Sequence, residues 1–144
     1  MSSAADYREK GNLFFRQKDM GKAWEMYSKA IELAEGNEKE LALGNRAQVA
    51  LELGRHQQAV SDCSVALEIN PGNSKALYRR GMASYRLGDL SQALRDLKKC
   101  LHLNPDNSAA KNALKTISLA TQSDDGLTLI DSFITKVGCC HGLF

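Results

Sequence analysis

The chain has 144 residues, of which 43% are hydrophobic and 25% are charged, and its formal net charge is +2. This composition is typical of one soluble globular domain and gives no electrostatic support for a nucleic-acid partner. No apolar run approaches the length of about 18 residues that spans a bilayer, and the first residues lack the apolar core of a signal peptide. We therefore expect a cytoplasmic protein whose partners are neither nucleic acid nor membrane.

The first predicted unit covers residues 4–37 and consists of two apolar-periodic stretches separated by a turn. Small residues at Gly11 and Ala23 allow two helix backbones to approach closely. Ala23 precedes its counterpart Ala59 by 36 residues, two more than the interval between later counterparts. We therefore expect two extra residues in the turn around Glu35, Gly36 and Asn37.

The second and third units cover residues 40–73 and 74–107 and are in register with each other. Gly54 and Gly88 differ by 34 residues, as do Pro71 and Pro105. Because the residue before a proline avoids the α region, each Asn-Pro pair predicts the end of a unit's second helix. A fixed interval of this size indicates stacked units, none of which buries its apolar face alone.

A 34-residue helix-turn-helix with small residues at its eighth, twentieth and twenty-seventh places, and proline near the thirty-second, resembles the tetratricopeptide repeat. The resemblance covers residues 4–122. It implies an all-α fold of three helix-turn-helix repeats stacked in a right-handed superhelix and closed by a capping helix over residues 108–122. A short amphipathic tail, residues 123–144, is expected to follow.

Five polar side chains are predicted to share the inner face that the first helices of the units line. Arg8 and Asn12 are one helical turn apart, as are Lys75 and Arg79, and Asn45 lies on the first helix of the middle unit. Cations and neutral amides together suit an extended peptide that ends in carboxylates. We expect Lys75 and Arg79 to repel each other in the empty groove, which also favours an anionic ligand.

The segments REKGN (8–12), GNRA (44–47) and KALYRRG (75–81) resemble the dicarboxylate clamp of chaperone-binding repeat domains. GNRA and KALYRRG are especially similar to the N-terminal repeat domain of myosin-directed co-chaperones. The resemblance implies binding to the C-terminal Glu-Glu-Val-Asp tails of cytosolic heat-shock chaperones of the seventy- and ninety-kilodalton classes. The five side chains would hold the last aspartate, and Phe15 would shape an apolar pocket for the valine. Arg8 stands where many members carry lysine, so the preferred chaperone class stays open.

Two alternatives to this co-chaperone interpretation also stay open. The repeats would form a scaffold that binds an internal segment or a second copy of the chain, or they would target a larger enzyme such as a peptidyl-prolyl isomerase or phosphatase. Neither His56 nor His102 is accompanied by a recognisable nucleophile and orienting carboxylate. We therefore predict no catalytic residue, no cofactor and no enzyme activity within the chain.

The tail carries an apolar stripe at helical spacing, formed by Ile130, Phe133, Ile134 and Val137. We expect it to pack against the capping helix, with a partner helix or a homodimer contact as alternatives. Cys139, Cys140 and His141 are adjacent in sequence, whereas the ligands of a zinc site are separated. Prenylation requires cysteine at the fourth place from the end of the chain, and His141 occupies that place. Neither a metal nor a lipid is predicted.

Overall fold

The computed structural model describes residues 1–122, which fold into seven α-helices. These helices are α1 (Ala4–Arg16), α2 (Met20–Leu33), α3 (Gly36–Glu52), α4 (His56–Ile69), α5 (Ser74–Arg86), α6 (Leu90–Leu103) and α7 (Ser108–Gln122). This part of the chain contains no strand, and the predicted all-α class is confirmed. The predictions for the tail, including its apolar stripe, the homodimer contact and Cys139, Cys140 and His141, concern residues outside the described part.

The helices pack as three antiparallel pairs followed by one further helix. Within the units α1 packs on α2, α3 on α4 and α5 on α6, while α2 contacts α3, α4 contacts α5 and α6 contacts α7. The first helices also contact one another in sequence, α1 with α3, α3 with α5, and α5 with α7. They therefore line one side of the stack, as the repeat frame predicts. None of the helices within residues 1–122 is both long and apolar enough to cross a membrane.

Local sequence signals set the helix ends. The second helices α4 and α6 end at Ile69 and Leu103, immediately before the two Asn-Pro pairs. Asp19 and Asp89 cap the starts of α2 and α6, where each side chain accepts a backbone N–H at 3.1 Å. Each of these caps satisfies a backbone donor that the first turn of a helix cannot pair internally.

The junction between the first two units differs from the sequence expectation. Helix α3 has 17 residues, whereas α1 and α5 have 13 each. The segment around Gly36 was predicted as a longer turn, but α3 already begins at Gly36, whose φ of 55° suits glycine. The extra residues therefore lengthen α3 at its N-terminus and bring Glu38 against α1.

The core depends on close helix approach. Ala23, Ala59 and Ala93 are completely buried, and a Cβ added at Gly11 would lie 2.5 Å from a Tyr27 ring carbon. Cys63 is also fully buried, and burial raises the pKa of its thiol to about 12, so it acts as a small core side chain.

Two ion pairs each join the two helices of one unit, and they recur at the repeat interval. Arg46 donates two hydrogen bonds of 2.8 Å to Asp62, and Arg80 donates two of the same length to Asp96. Each arginine also donates to a serine of the preceding unit, Arg46 to Ser28 at 3.1 Å and Arg80 to Ser64 at 3.2 Å. Both aspartates are buried, so these bidentate pairs hold the two helices of a unit together. The hydrogen bonds to the serines link each unit to the one before it.

Candidate functional site

A cavity of about 190 Å³ lies where the first helices meet. Its lining residues are Asn12, Phe15, Arg16, Tyr27, Asn45, Gln48 and Arg79. The charged members of this lining, Arg16 and Arg79, are both cations. The cavity therefore presents positive charge and amide groups beside the aromatic ring of Phe15, a combination that suits an anionic ligand with an apolar side chain.

Four of the six predicted site residues line this cavity. Asn12 and Phe15 come from α1, Asn45 from α3 and Arg79 from α5. Arg8 and Lys75 are not part of the lining and lie one turn N-terminal to Asn12 and Arg79. The structure thus brings the central members together and places the other two cations beyond the lining.

Contacts with α3 hold the guanidinium of Arg79 in place. Its Nη1 donates to the backbone carbonyl of Gly44 at 2.9 Å, and its Nε donates to Gln48 Oε1 at 3.2 Å. A Cβ at Gly44 would lie 3.1 Å from Nη1, so the glycine permits this close approach. Burial lowers the pKa of Arg79, but a guanidinium remains charged at neutral pH. Within residues 1–122, Nη2 has no hydrogen-bond partner and is available to a ligand.

The predicted repulsion between Lys75 and Arg79 is reduced by their different surroundings. Lys75 is exposed near the start of α5, where water and salt screen its charge. Arg79 is instead drawn toward α3 by the carbonyl of Gly44. Lys75 is therefore an exposed cation at the rim of the groove, whereas Arg79 is held in the cavity wall by its contacts with α3.

A short hydrogen-bond chain orients the two asparagines. The Oδ1 atom of Asn12 accepts from the hydroxyl of Tyr27 at 2.6 Å and from Nδ2 of Asn45 at 3.2 Å. Because both internal donors meet this oxygen, the Nδ2 group of Asn12 is left to donate to a ligand. Burial raises the pKa of Tyr27 to about 12, so its hydroxyl keeps its proton at neutral pH.

Arg8 is paired inside the protein. Its Nε donates to Oε1 of Glu38, which lies near the start of α3. The two terminal nitrogens of the guanidinium have no partner among the described residues. Arg8 can therefore contact Glu38 and still offer its outer edge to a ligand.

Arg16, Tyr27 and Gln48 are cavity residues that the sequence analysis did not identify. Arg16 follows Asn12 by four residues, and the spacing that linked Arg8 to Asn12 could have extended to it. Gln48 follows Asn45 by three residues on α3 in the same way. Tyr27 lies on α2, the second helix of its unit, whereas the sequence predicted site residues only on the first helices.

Comparison with known proteins identifies the repeat that builds this fold. The profile of the tetratricopeptide repeat family matches residues 9–74 and also residues 47–117. The first TPR of Spaghetti (RPAP3), solved bound to the HSP90 peptide SRMEEVD, is 35% identical with a TM-score of 0.79, and the match covers 84% of this chain and 94% of that one.

The chain belongs to the tetratricopeptide repeat family. The predicted resemblance to myosin-directed co-chaperones is also confirmed. The myosin chaperone UNC-45 from C. elegans, solved in complex with a Hsp90 peptide, is 30% identical with a TM-score of 0.79; the match covers 96% of this tetratricopeptide repeat chain and 16% of UNC-45.

A curated relative of this tetratricopeptide repeat chain is the Hsp70/Hsp90 co-chaperone CNS1 of Saccharomyces cerevisiae. It is 38% identical over 78 residues, which are 53% of this chain and 20% of CNS1. The chain thus spans a fifth of that relative's length.

Proposed function

We propose that this domain is a protein-interaction module that binds the acidic C-terminal tails of Hsp90 and Hsp70 chaperones. The observation that carries the proposal is the convergence of Asn12, Asn45 and Arg79, from three successive first helices, on one cavity with a cationic lining. Similar domains have been solved with peptides that end in Glu-Glu-Val-Asp, which supports this ligand class.

The last aspartate of the tail carries two carboxylates, and the groove offers donors for both. Within residues 1–122, Nη2 of Arg79 and Nδ2 of Asn12 have no hydrogen-bond partner, and Asn45 lies beside them. Charge-assisted hydrogen bonds to carboxylates are stronger than neutral ones, so Arg79 supplies the central contact. Arg8 and Lys75 contribute positive charge from outside the cavity lining.

The apolar part of the cavity suits the valine of such a tail. Phe15 is partly buried and packs with a small cluster around Ala23, Tyr27 and Val49. The side chain of Phe15 is therefore supported by this cluster and also lines the cavity. Burial of the valine against Phe15 adds a hydrophobic contribution to the binding of the carboxylates.

At the level of the whole protein, we infer an adaptor or co-chaperone role in the cytoplasm, without catalysis by this chain. The similarity to CNS1, a co-chaperone, supports the role. Among residues 1–122, the cavity lining offers amide and cationic donors but no carboxylate, histidine, cysteine or serine that would act as base or nucleophile.

Isothermal titration calorimetry with two matched peptides tests the proposed ligand. One peptide ends in Glu-Glu-Val-Asp with a free carboxylate, and the other has the same sequence with a C-terminal amide. We expect the free acid to bind and the amide to bind much more weakly, because amidation removes one of the charges that the groove compensates. Equal affinities would exclude recognition of the terminal carboxylate and favour a scaffold that binds an internal segment.

A further inference from the structure

Glu38 contacts Arg8, a residue assigned to the peptide, because α3 begins earlier than the other first helices. It belongs to the N-terminal extension of α3, which starts at Gly36, and its carboxylate contacts Nε of Arg8 on α1. The side chains of Arg8 and Glu38 are only 21% and 30% exposed, so bulk water screens this pair incompletely. An acidic side chain thus lies beside a cation that we assign to an acidic ligand.

The geometry of this contact explains how Arg8 can donate to Glu38 and to a carboxylate of the peptide at the same time. Glu38 contacts Nε alone, which leaves Nη1 and Nη2 for a ligand. A lysine ammonium is a compact point charge without a second edge of this kind. Arginine at this position therefore retains donors for a peptide even while Glu38 compensates much of its charge.

We propose that Glu38 is an internal competitor that sets the affinity of the groove by partly neutralising Arg8. This inference rests on the proposed function, since it concerns binding of an acidic peptide to the same groove. In the free protein Arg8 is already paired, so the peptide gains less from it than from an unpaired cation. Glu38 also repels the incoming carboxylates, because like charges close together are unfavourable.

The substitution Glu38→Gln separates charge from geometry. Glutamine retains a side-chain oxygen that accepts from Nε of Arg8, so the guanidinium keeps its orientation while the negative charge is removed. We expect the variant to bind a peptide ending in Glu-Glu-Val-Asp about two- to fivefold more tightly at low ionic strength, the range for exposed charge pairs. The gain should shrink in high salt, because screening weakens interactions between charges.

Glu68→Gln is the matched control, since Glu68 is exposed on α4 and the substitution changes the net charge equally. We expect this control to bind like the wild type. Unchanged or weaker binding by Glu38→Gln would overturn the inference, as would an equal gain in the control. A salt-independent gain would also contradict an electrostatic competitor.

A double-mutant cycle tests whether Glu38 acts through Arg8. In an Arg8→Ala background, Glu38→Gln should lose most of its gain, because the cation that it releases is absent. A full gain in that background would overturn competition for Arg8. If neither the wild type nor Glu38→Gln binds the peptide, the proposed function fails together with this inference. If the wild type binds and Glu38→Gln gains nothing, only this inference fails.

Discussion

The hydroxyl of Tyr27 donates to Oδ1 of Asn12 at 2.6 Å, and this contact decides which end of the amide faces the groove. A second internal donor, Nδ2 of Asn45, meets the same oxygen at 3.2 Å. Asn12 consequently presents its N–H groups to the ligand, as binding of an anion requires. Tyr27, on α2, thus orients Asn12, on α1, for ligand binding.

Tyr27→Phe should weaken peptide binding while the fold persists. The phenylalanine ring still fills the space beside Gly11, but the donor that orients Asn12 is lost. We expect a loss of about 0.5 to 1.5 kcal/mol in binding free energy, the net value of one hydrogen bond. Calorimetry measures this loss, and Tyr85→Phe on α5, outside the cavity lining, is the control. Wild-type affinity in Tyr27→Phe would mean that Asn12 needs no orienting donor.

Arg79→Ala and Lys75→Ala should differ in stability although both weaken peptide binding. Each should cost about 1.5 to 3 kcal/mol of binding if it removes a hydrogen bond to a charged group. Arg79 also ties α5 to α3 through Gly44 and Gln48, so its removal should lower the free energy of unfolding by about 1 kcal/mol. Lys75 is exposed, so its removal should change stability by less than about 0.5 kcal/mol.

Chemical denaturation of the free variants, combined with calorimetry, measures both effects. Lys98→Ala, at an exposed position on α6, controls for the loss of a positive charge. If Lys75→Ala proved as destabilising as Arg79→Ala, the contacts of Arg79 with α3 would not distinguish its role in folding from that of the exposed Lys75.

Helical spacing in the sequence predicted which side chains share the inner face, because the period of the helix and of the repeat together fix that face. Asn12, Asn45 and Arg79 therefore converge as expected. The partners of these side chains were not predictable in the same way. Arg79 reaches Gly44, 35 residues earlier, and such contacts depend on how one unit sits on the next.

The position of Glu38 shows a second limit of the sequence analysis. Two additional residues between repeats can lengthen either a turn or a helix, and the glycine at position 36 favoured the turn. The structure places them in α3, where Gly36 adopts a positive φ and the helix continues from it. The contact between Glu38 and Arg8 follows from that local difference.

Asp96→Ala should destabilise the stack without directly altering the groove. Asp96 is buried and accepts two hydrogen bonds from Arg80, so its removal leaves a partly buried cation without its partner. We expect a loss of about 3 kcal/mol in the free energy of unfolding, the scale for breaking a buried pair. Chemical denaturation measures the loss, with Glu68→Ala as an exposed control.

Replacement of both partners, Arg80→Met with Asp96→Leu, should recover most of this stability, because two apolar side chains leave no charge unpaired. If the double variant were as unstable as Asp96→Ala, the ion pair itself would be required for the packing of α5 on α6. Peptide affinity of the folded single variant should stay close to that of the wild type, since neither residue lines the cavity.

Removal of residues 123–144 should leave peptide affinity unchanged, because within residues 1–122 every side chain that lines the cavity lies between positions 12 and 79. Calorimetry on the full chain and on the chain that ends at Gln122 tests this expectation. Tighter binding by the shortened chain would mean that the tail competes for the groove, and weaker binding would mean that it contributes to the site.

Thermal melting and light scattering of the same two proteins separate the proposed roles of the tail. A lower melting temperature of the shortened chain, with both proteins monomeric, indicates packing on α7, whereas loss of a dimer indicates a contact between two copies.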